Sequence, residues 1–306
     1  MTANLILVTG ATGAQGGATV DALLDAGFKV RAMSRNPDSQ AARDLAGRGV
    51  DVLQGDFDDK ESLATAMNGV TGVFSVQMPP MPDDLESELR TGRQLVEAAR
   101  VAGVQTFVHT SVARAGDQAN FVGWDTDRWW PDYWNSKSGV NDIVRSAGFP
   151  FWVVLKPAFM MDNFIPPKVT WMFPSLIKGS VDTAMSADTR LDLIAAADVG
   201  RFAAAAFADP ARFHGQEIDL AAESLTMAEV AAVIADVTGR PVRSSSLSGK
   251  EAVAAGNHAG LVESQKWASV EGYKVDLAKA RSHGIKLETF ADWAKRHDKA
   301  FQVELA

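Results

Sequence analysis

The sequence predicts an α/β protein of Rossmann type, a doubly wound parallel sheet with a smaller C-terminal substrate lobe. Three observations support this prediction: short apolar runs alternate with amphipathic segments, a glycine-rich turn follows the first run, and the pattern changes beyond Pro157. Continuous apolar runs separated by helices are typical of parallel strands that are buried on both faces of a sheet.

The first half of the chain alternates regularly between strands and helices. The predicted strands are 5–8, 29–33, 50–54, 72–76, 106–109 and 151–155, and the predicted helices are 16–26, 37–48, 60–67, 85–102 and 136–147. Residues 158–190 are rich in Phe, Met, Pro and Trp without a clear period, which indicates a loop-rich lobe. A strand at 217–220 and a helix opened by Thr226 and Glu229, at capping-box spacing, restore the alternation. The last segment carries an apolar stripe at helical spacing, Leu287, Phe290, Trp293 and Ala294.

These patterns predict two domains. We expect a Rossmann domain at 1–157, joined by about 191–222, and a smaller substrate lobe at 158–190 and 223–306. A chain of 306 residues is long enough for this arrangement.

Composition excludes several classes of function. The 30 basic residues are scattered among 38 acidic ones, which argues against a nucleic-acid surface. Cysteine is absent, so disulfides and thiolate chemistry are excluded, and the five histidines lie too far apart to suggest a metal site. There is no leader-like N-terminus and no apolar run of about 20 residues. We therefore expect a cytoplasmic protein without a membrane span.

A GxxGxxG turn stands directly after the first strand and before a helix. Gly10 permits the tight turn, Gly13 lets the backbone approach a pyrophosphate, and Gly16 lets helix and strand pack closely. The free N–H groups at the helix N-terminus then bind phosphate. The predicted phosphate-binding residues are Gly10, Thr12, Gly13, Ala14, Gln15 and Gly16.

The tip of the second strand favours NADP(H) over NAD(H). An NAD site usually carries an acidic residue there, whereas this chain has Ser34 and Arg35. Arg35 is suited to pair with a 2′-phosphate through a charge-assisted fork, although a solvated surface arginine is the alternative. Asp56 and Phe57 follow the third strand, where they are candidates for the adenine contact; a turn-forming Asp56 is equally compatible with the sequence.

A Tyr-Lys pair supplies candidate catalytic residues. Tyr133 and Lys137 are four residues apart near the start of a helix, so their side chains share a face. A cationic Lys137 lowers the pKa of a neighbouring phenol, the phenol protonates a developing alkoxide, and Ser111 hydrogen-bonds the carbonyl oxygen. Tyr133 as a packing residue is the competing interpretation.

The sequence resembles the NmrA-like branch of the atypical short-chain dehydrogenases/reductases, nearest to its NADPH-sensing members. Four stretches that together span essentially the whole chain carry the resemblance: VTGATGAQGG, QGDFDD, KSGVNDIVRSAGFPFWVVLKPAFMMDNF and LETFADWAKRH. The resemblance implies an NADP-binding Rossmann domain with a small lobe over the nicotinamide end. It also implies that certain positions bind the cofactor or line the cleft, namely Gly10, Thr12, Gly13, Gln15, Gly16, Arg35, Asp56, Phe57, Lys137, Pro157, Asn163 and Phe164. Regulatory members commonly have His, or no useful acid, where this chain has Tyr133.

Aromatic residues suggest an apolar substrate. Four tryptophans lie between positions 121 and 134, and Phe and Met cluster after position 158. The predicted substrate pocket comprises Trp124, Trp134, Phe159, Asn163 and Phe164, although the tryptophans are equally suited to an internal core or a subunit interface. Such a pocket suits a small hydrophobic carbonyl, quinone, enone or imine.

Two functions follow from these features. The first is an NADPH-dependent reductase in which hydride comes from the nicotinamide and Tyr133 donates the proton. The alternative is a non-catalytic NADP(H)-binding redox sensor that acts through cofactor occupancy, since no thiol is available. A homodimer is possible for either function.

Overall fold

The computed structural model describes residues 4–304, and its strands and helices alternate in the predicted order. The strands are β1 (Leu5–Val8), β2 (Lys29–Ser34), β3 (Asp51–Gln54), β4 (Gly72–Ser75), β5 (Thr106–Thr110), β6 (Phe151–Pro157), β7 (Phe159–Met160), β8 (Ser180–Thr183), β9 (Leu191–Ile194), β10 (Gln216–Leu220), β11 (Glu223–Leu225) and β12 (Arg243–Ser246). The helices are α1 (Ala14–Asp25), α2 (Gln40–Gly47), α3 (Lys60–Met67), α4 (Ser87–Val101), α5 (Pro131–Ser146), α6 (Val169–Met172), α7 (Ala196–Ala208), α8 (Pro210–Phe213), α9 (Met227–Thr238), α10 (Gly249–Ala254), α11 (Ala259–Val270), α12 (Leu277–Ser282) and α13 (Phe290–Arg296).

The described chain forms two compact units. The first contains the residues up to Gln118 together with Trp130–Pro157 and Ala196–Asp219. The second contains Ala119–Trp129, Ala158–Ala195 and the residues from Leu220 onward. Residues 119–129, 191–195 and 220–222, which the sequence predicts to belong to the Rossmann domain, lie in the second unit.

A seven-stranded sheet organises the first unit and confirms the predicted Rossmann-type fold. Its strand order is β10-β6-β5-β4-β1-β2-β3, and strands β1 to β6 run parallel to one another. The strand order reverses between β1 and β4, which are hydrogen-bonded neighbours. Parallel sheets bind their ligands at the carboxyl edge, at this point of reversal. The fold therefore places the glycine turn after β1 at the expected binding edge.

Helices α4 and α5 pack closely because two glycines face aliphatic side chains. A Cβ at Gly92 of α4 would lie 2.8 Å from a methyl carbon of Val140 on α5. In the same way, a Cβ at Gly139 of α5 would lie 2.8 Å from Leu89 on α4. At each position a larger residue would have to displace the facing side chain, so the two helices approach each other closely at two points.

Apolar side chains of the strands fill the core of the first unit. Leu7, Val73 and Phe107, from three neighbouring strands, are fully buried in one cluster. The ring of Phe107 stacks on that of Phe149, with 4.7 Å between ring centroids. This packing explains why the strands are continuous apolar runs in the sequence.

Helix α5 begins five residues earlier than the sequence predicts. The predicted start was Ser136, but the helix begins at Pro131, and Trp130 is its N-cap. Proline is favoured in the first helical position because its fixed φ suits a helix and its missing N–H has no helical partner there. Tyr133 therefore lies within the first turn.

The second unit has two small sheets and an aromatic core. The sheets have the strand orders β11-β9-β7 and β12-β8. Phe164 is fully buried, and its ring stacks on Phe173 at 4.4 Å and meets Phe290 edge-on at 5.4 Å. Phe290 stacks in turn on Trp293. Helix α13 begins at Phe290, so Leu287 of the predicted stripe precedes it.

Truncating Phe164 will test this core. We expect Phe164→Ala to lower the free energy of unfolding by about 3 to 5 kcal/mol, because the side chain leaves a cavity among rings that cannot close it. Chemical denaturation measures the change. Trp171, which is half exposed on α6, provides the matched control through Trp171→Ala. Equal losses in the two variants would contradict the assignment of Phe164 to the core.

Candidate functional site

The glycine turn after β1 approaches neighbouring backbone as closely as glycine permits. Gly10 has a φ of +60°, and a Cβ there would lie 2.6 Å from a methyl carbon of Val76. A Cβ at Gly16 would collide with the carbonyl of Gly10. Gly13 is the N-cap of α1 and contributes no side-chain cap, so the first amides of α1 have no side-chain acceptor there. This arrangement is suited to binding phosphate.

Thr9, which the sequence analysis did not single out, fastens the glycine turn to the loop after β4. Its hydroxyl oxygen accepts a hydrogen bond from the Val76 amide at 2.9 Å, and it lies 3.2 Å from the carbonyl oxygens of Phe74 and Val76. The turn and the loop therefore form one rigid edge at the point where the strand order reverses.

Arg35 stands exposed at the tip of β2. Within residues 4–304, no hydrogen bond or ion pair joins its guanidinium to another residue. Next to it, the Ser34 hydroxyl oxygen accepts a hydrogen bond from the Asn36 amide at 3.2 Å and so shapes the turn. An unpaired arginine in an acidic chain, at the end of this strand, is available for an anionic ligand.

Asp56 has one of the two roles that the sequence left open, that of a turn-forming residue. Its carboxylate accepts a hydrogen bond from the Asp58 amide at 3.0 Å, which makes it a turn-forming residue, and it is exposed at the carboxyl edge of β3. Phe57 is half-buried against the core cluster. Arg90 of α4 bridges this turn to the loop after β4, since it pairs with Asp58 at 3.0 Å and with Asp84 at 2.7 Å. Hydrogen bonds from Arg90 lower the pKa of both carboxyl groups.

Lys137 makes a buried ion pair that the sequence analysis missed. Its Nζ lies 2.5 Å from Glu88 Oε1, and both residues are more than nine-tenths buried. The second carboxylate oxygen of Glu88 accepts a hydrogen bond from the Ser136 hydroxyl at 2.6 Å. Glu88 lies in the first turn of α4, opposite the second turn of α5. No local pattern links Glu88 to Lys137, because 49 residues separate them.

Tyr133 lies on the same helix face as Lys137, as its spacing predicts. Lys137 Nζ is 5.7 Å from the centroid of the Tyr133 ring. The Tyr133 ring stacks on the Trp130 ring, with 5.5 Å between the ring centroids. It meets the Trp134 ring edge-on, with 5.3 Å between the centroids. The phenol is half-buried, so it combines an aromatic wall with a neighbouring cation.

A second buried polar group lies next to Lys137. His109 Nδ1 is 3.1 Å from the Ser75 hydroxyl, which also accepts a hydrogen bond from Gln77 Nε2 at 3.0 Å. Burial, and then the charge of Lys137, lower the pKa of His109 to about 3. His109 is therefore neutral at physiological pH, and its Nε2 has no partner in the described part of the chain.

The two hydroxyls at the end of β5, those of Thr110 and Ser111, differ in their availability. Thr110 donates a hydrogen bond to Gln15 Oε1 at 2.7 Å, which ties the tip of β5 to the first turn of α1. Ser111 Oγ is buried and has no partner among residues 4–304. The Ser111 amide donates to Leu155, and the Ala113 amide donates to Pro157, so this segment continues alongside β6. Ser111 is thus the available hydroxyl of the pair.

The predicted pocket residues divide between the two units. Trp134 is buried in the first unit. In the second, Trp124 is half-buried with its ring edge-on to Phe121 at 6.1 Å. Phe159 lies 5.8 Å from Phe164, ring centroid to ring centroid, and two buried residues there were predicted to line the pocket, Asn163 and Phe164.

The residues of the first unit fit a 2′-phosphorylated dinucleotide. Along the glycine turn, the absence of side chains leaves room for a ligand to approach the backbone. Ser111 has a buried hydroxyl without a partner among residues 4–304, and the Arg35 guanidinium is unpaired in the same part of the chain. Thr12 and Ala14 complete the turn, and Thr12 is exposed. All of these positions belong to one unit and lie at the carboxyl edge of the sheet.

A family model described as the NmrA-like family matches residues 2–291. The chain belongs to this family. The resemblance inferred from the sequence is thereby confirmed. An NAD(P)H azoreductase from Xenophilus azovorans is 30% identical over 97% of this chain and 99% of its own.

Solved structures show the same fold. An NADPH-dependent quinone oxidoreductase from Escherichia coli has a TM-score of 0.73 and 22% identity, and the match covers 95% of this chain and 98% of the other. NmrA, a negative transcriptional regulator crystallised with NADP, has a TM-score of 0.75 and 19% identity, and the match covers 96% and 95%. Identities at this level establish the fold and not the activity.

None of the helices between residues 4 and 304 has the length and apolar content that crossing a membrane would require.

The depressed pKa of His109 predicts acid sensitivity. As the pH falls below about 6.5, His109 binds a proton in the unfolded chain. In the folded protein the same residue is not protonated until about pH 3. The contribution of His109 to stability is therefore complete above pH 6.5. It is lost at up to about 1.4 kcal/mol per pH unit as the pH falls towards 3.

Urea unfolding at pH 7, 6 and 5 will measure this loss. His109→Gln removes the titrating group, so its stability should fall less steeply with pH than that of the parent. His214→Gln, at an exposed position, is the matched control and should keep the parent slope. Identical slopes in the parent and His109→Gln would show that His109 does not carry the effect.

Proposed function

We propose that the protein is an NADPH-dependent reductase of a small hydrophobic substrate, with Tyr133 as the proton donor. The observation that carries the proposal is the position of Lys137 Nζ against the Tyr133 ring. The two side chains belong to the same unit as the glycine turn and Arg35. A phenol, a cation and a dinucleotide cradle are the components of carbonyl-type reduction.

The cofactor is NADP(H). The turn from Gly10 to Gly16 receives the pyrophosphate at the N-terminus of α1, and Arg35 pairs with the 2′-phosphate. Asp56 and Phe57 border the adenine, and Lys137 and Pro157 lie towards the nicotinamide end. Two of the similar proteins are named for reduced nicotinamide cofactors, NAD(P)H for the azoreductase and NADPH for the quinone oxidoreductase.

The substrate is a flat, electron-poor group such as a quinone, enone, imine or other hydrophobic carbonyl. The azoreductase matches this chain over nearly its whole length, and an azo group shares with these substrates a polarised or conjugated double bond that accepts hydride. The aromatic side chains around Tyr133 are suited to contact such a group.

The chain's own residues supply the acid and the orientation. NADPH, when bound, supplies the hydride. Ser111, with its unpartnered hydroxyl, donates a hydrogen bond to the substrate oxygen or nitrogen that gains negative charge. Tyr133 then gives its phenolic proton to that atom, and Lys137 stabilises the resulting phenolate by its positive charge. Thr110 serves a different purpose, because its hydroxyl is bonded to Gln15.

A non-catalytic sensor of NADP(H) is the second candidate. The structural similarity to NmrA, a transcriptional regulator, is compatible with it. The observation in its favour is the packing of the Tyr133 ring between Trp130 and Trp134, which gives this tyrosine a structural role without catalysis. The cytoplasmic location and the homodimer stay predictions.

Replacing Arg35 will test the choice of cofactor. We expect Arg35→Gln to weaken NADPH binding by about 10- to 100-fold, the worth of a charge-assisted pair, and to leave NADH binding within about twofold. Fluorescence titration of the reduced cofactors measures both affinities. Arg48→Gln, another exposed arginine of the first unit, is the control for loss of a surface charge. Tighter binding of NADH than of NADPH by the parent would contradict the assignment.

Replacing Tyr133 will separate the reductase from the sensor. We expect Tyr133→Phe to lower kcat by about 100-fold or more towards a quinone, an azo compound, an enone or an imine, because the proton donor is removed. NADPH affinity should stay within about twofold. The chain has 2 tyrosines, so Tyr273→Phe is the matched control and should keep the parent rate.

Two outcomes favour the sensor over the reductase. One is full activity in Tyr133→Phe. The other is a parent protein that binds NADPH but oxidises it with none of the acceptors. A sensor would also change its oligomeric state or its partner binding when NADPH is added, which light scattering detects.

A further inference from the structure

We propose that Glu88 is a positioning residue of the reductase, which sets the place of Lys137 on α5. The inference rests on the proposed function. Nothing in the sequence motif of Tyr133 and Lys137 includes an acidic partner, and Glu88 lies on a different helix.

The carboxylate of Glu88 reaches α5 at two adjacent residues. Its Oε1 accepts from Lys137 Nζ at 2.5 Å, and its Oε2 accepts from Ser136 Oγ at 2.6 Å. Ser136 Oγ also lies 3.0 Å from the carbonyl oxygen of Tyr133. One buried carboxylate therefore holds the lysine side chain and the hydroxyl of the residue before it.

The packing of α4 against α5 does not depend on this ion pair. Gly92 against Val140 and Gly139 against Leu89 give the two helices close contacts besides the ion pair. Burying two opposite charges is costly, and an apolar pair of similar size usually packs at least as favourably. A buried pair at a position where packing is already secured is best explained by its effect on the lysine.

Glu88 leaves Lys137 free to act in the proposed reaction. An ammonium group has three N–H donors, of which the Glu88 carboxylate takes one. The other donors remain for a ribose hydroxyl and for the region of the Tyr133 phenol. Because Glu88 is only 1% exposed, water does not compete for its oxygens and the direction of the Lys137 side chain is fixed.

The position of the pair also fits this role. Glu88 lies in the first turn of α4, which follows β4, and α5 follows β5. The N-termini of both helices are therefore at the carboxyl edge of the sheet, where ligands bind in parallel sheets. His109, at the end of β5, is close enough for the charge of Lys137 to lower its pKa.

A double-mutant cycle between Glu88 and Lys137 will test the proposal. The variants are Glu88→Gln, Lys137→Gln and the two combined; glutamine at 137 keeps a donor for the Glu88 carboxylate. We expect Glu88→Gln to lower kcat/KM by about 10- to 100-fold, the cost of a misplaced catalytic group. In the Lys137→Gln background the same change should alter kcat/KM by less than about twofold, because Glu88 acts through Lys137.

Three further measurements make the test specific. NADPH affinity from fluorescence titration should fall in Glu88→Gln, since Lys137 also binds the ribose. Glu88→Asp, which keeps the charge, should recover part of the lost kcat/KM. Glu97→Gln removes an exposed carboxylate from the same helix and should leave kcat/KM and affinity unchanged.

Each outcome decides the question. A folded Glu88→Gln with kcat/KM and NADPH affinity within twofold of the parent overturns the proposal, and so does an equal loss in both backgrounds. If Glu88→Gln does not fold, the double variant is compared with Lys137→Gln: equal rates support the proposal, and a further loss overturns it. If the parent binds no NADPH and reduces no acceptor, the proposed function itself fails.

Discussion

Close backbone approach at glycine is the constraint on which the binding edge depends. The turn after β1 exists in its observed form only because Gly10 and Gly16 have no side chain, and Thr9 fastens that turn to the loop after β4. The same device recurs where α4 meets α5, at Gly92 and Gly139. In both places a missing Cβ lets two segments come close enough for polar groups on either side to meet. The Thr9–Val76 hydrogen bond and the Lys137–Glu88 ion pair lie beside these close approaches.

The sequence predicts the first unit well because its signals are local. Helix α3 has the predicted bounds, and the spacing of Tyr133 and Lys137 puts them on one face. The start of α5 at Pro131 is not predicted, because the tryptophan-rich segment around it has no clear helical pattern. Local patterns also do not predict the role of Glu88, because only the packing of α4 against α5 brings it to Lys137.

The second unit is harder to predict for a physical reason. Its strands are short, and its core consists of stacked aromatic rings rather than a periodic apolar stripe. Because aromatic rings can pack from many directions, the sequence around Phe164 does not indicate whether its ring faces a ligand or the protein core. The structure buries Phe164 completely, while Phe159 keeps partial exposure. Burial, which no single sequence pattern specifies, separates the two.

The neutral state of His109 has a consequence for the pH range in which the proposed reaction runs unchanged. His109 takes up no proton until about pH 3, so no second positive charge forms beside Lys137 in the physiological range. The electrostatic environment that Lys137 gives the Tyr133 phenol is therefore independent of the protonation of this buried neighbour. A histidine, which elsewhere often acts as a pH switch, is a constant part of the surroundings here.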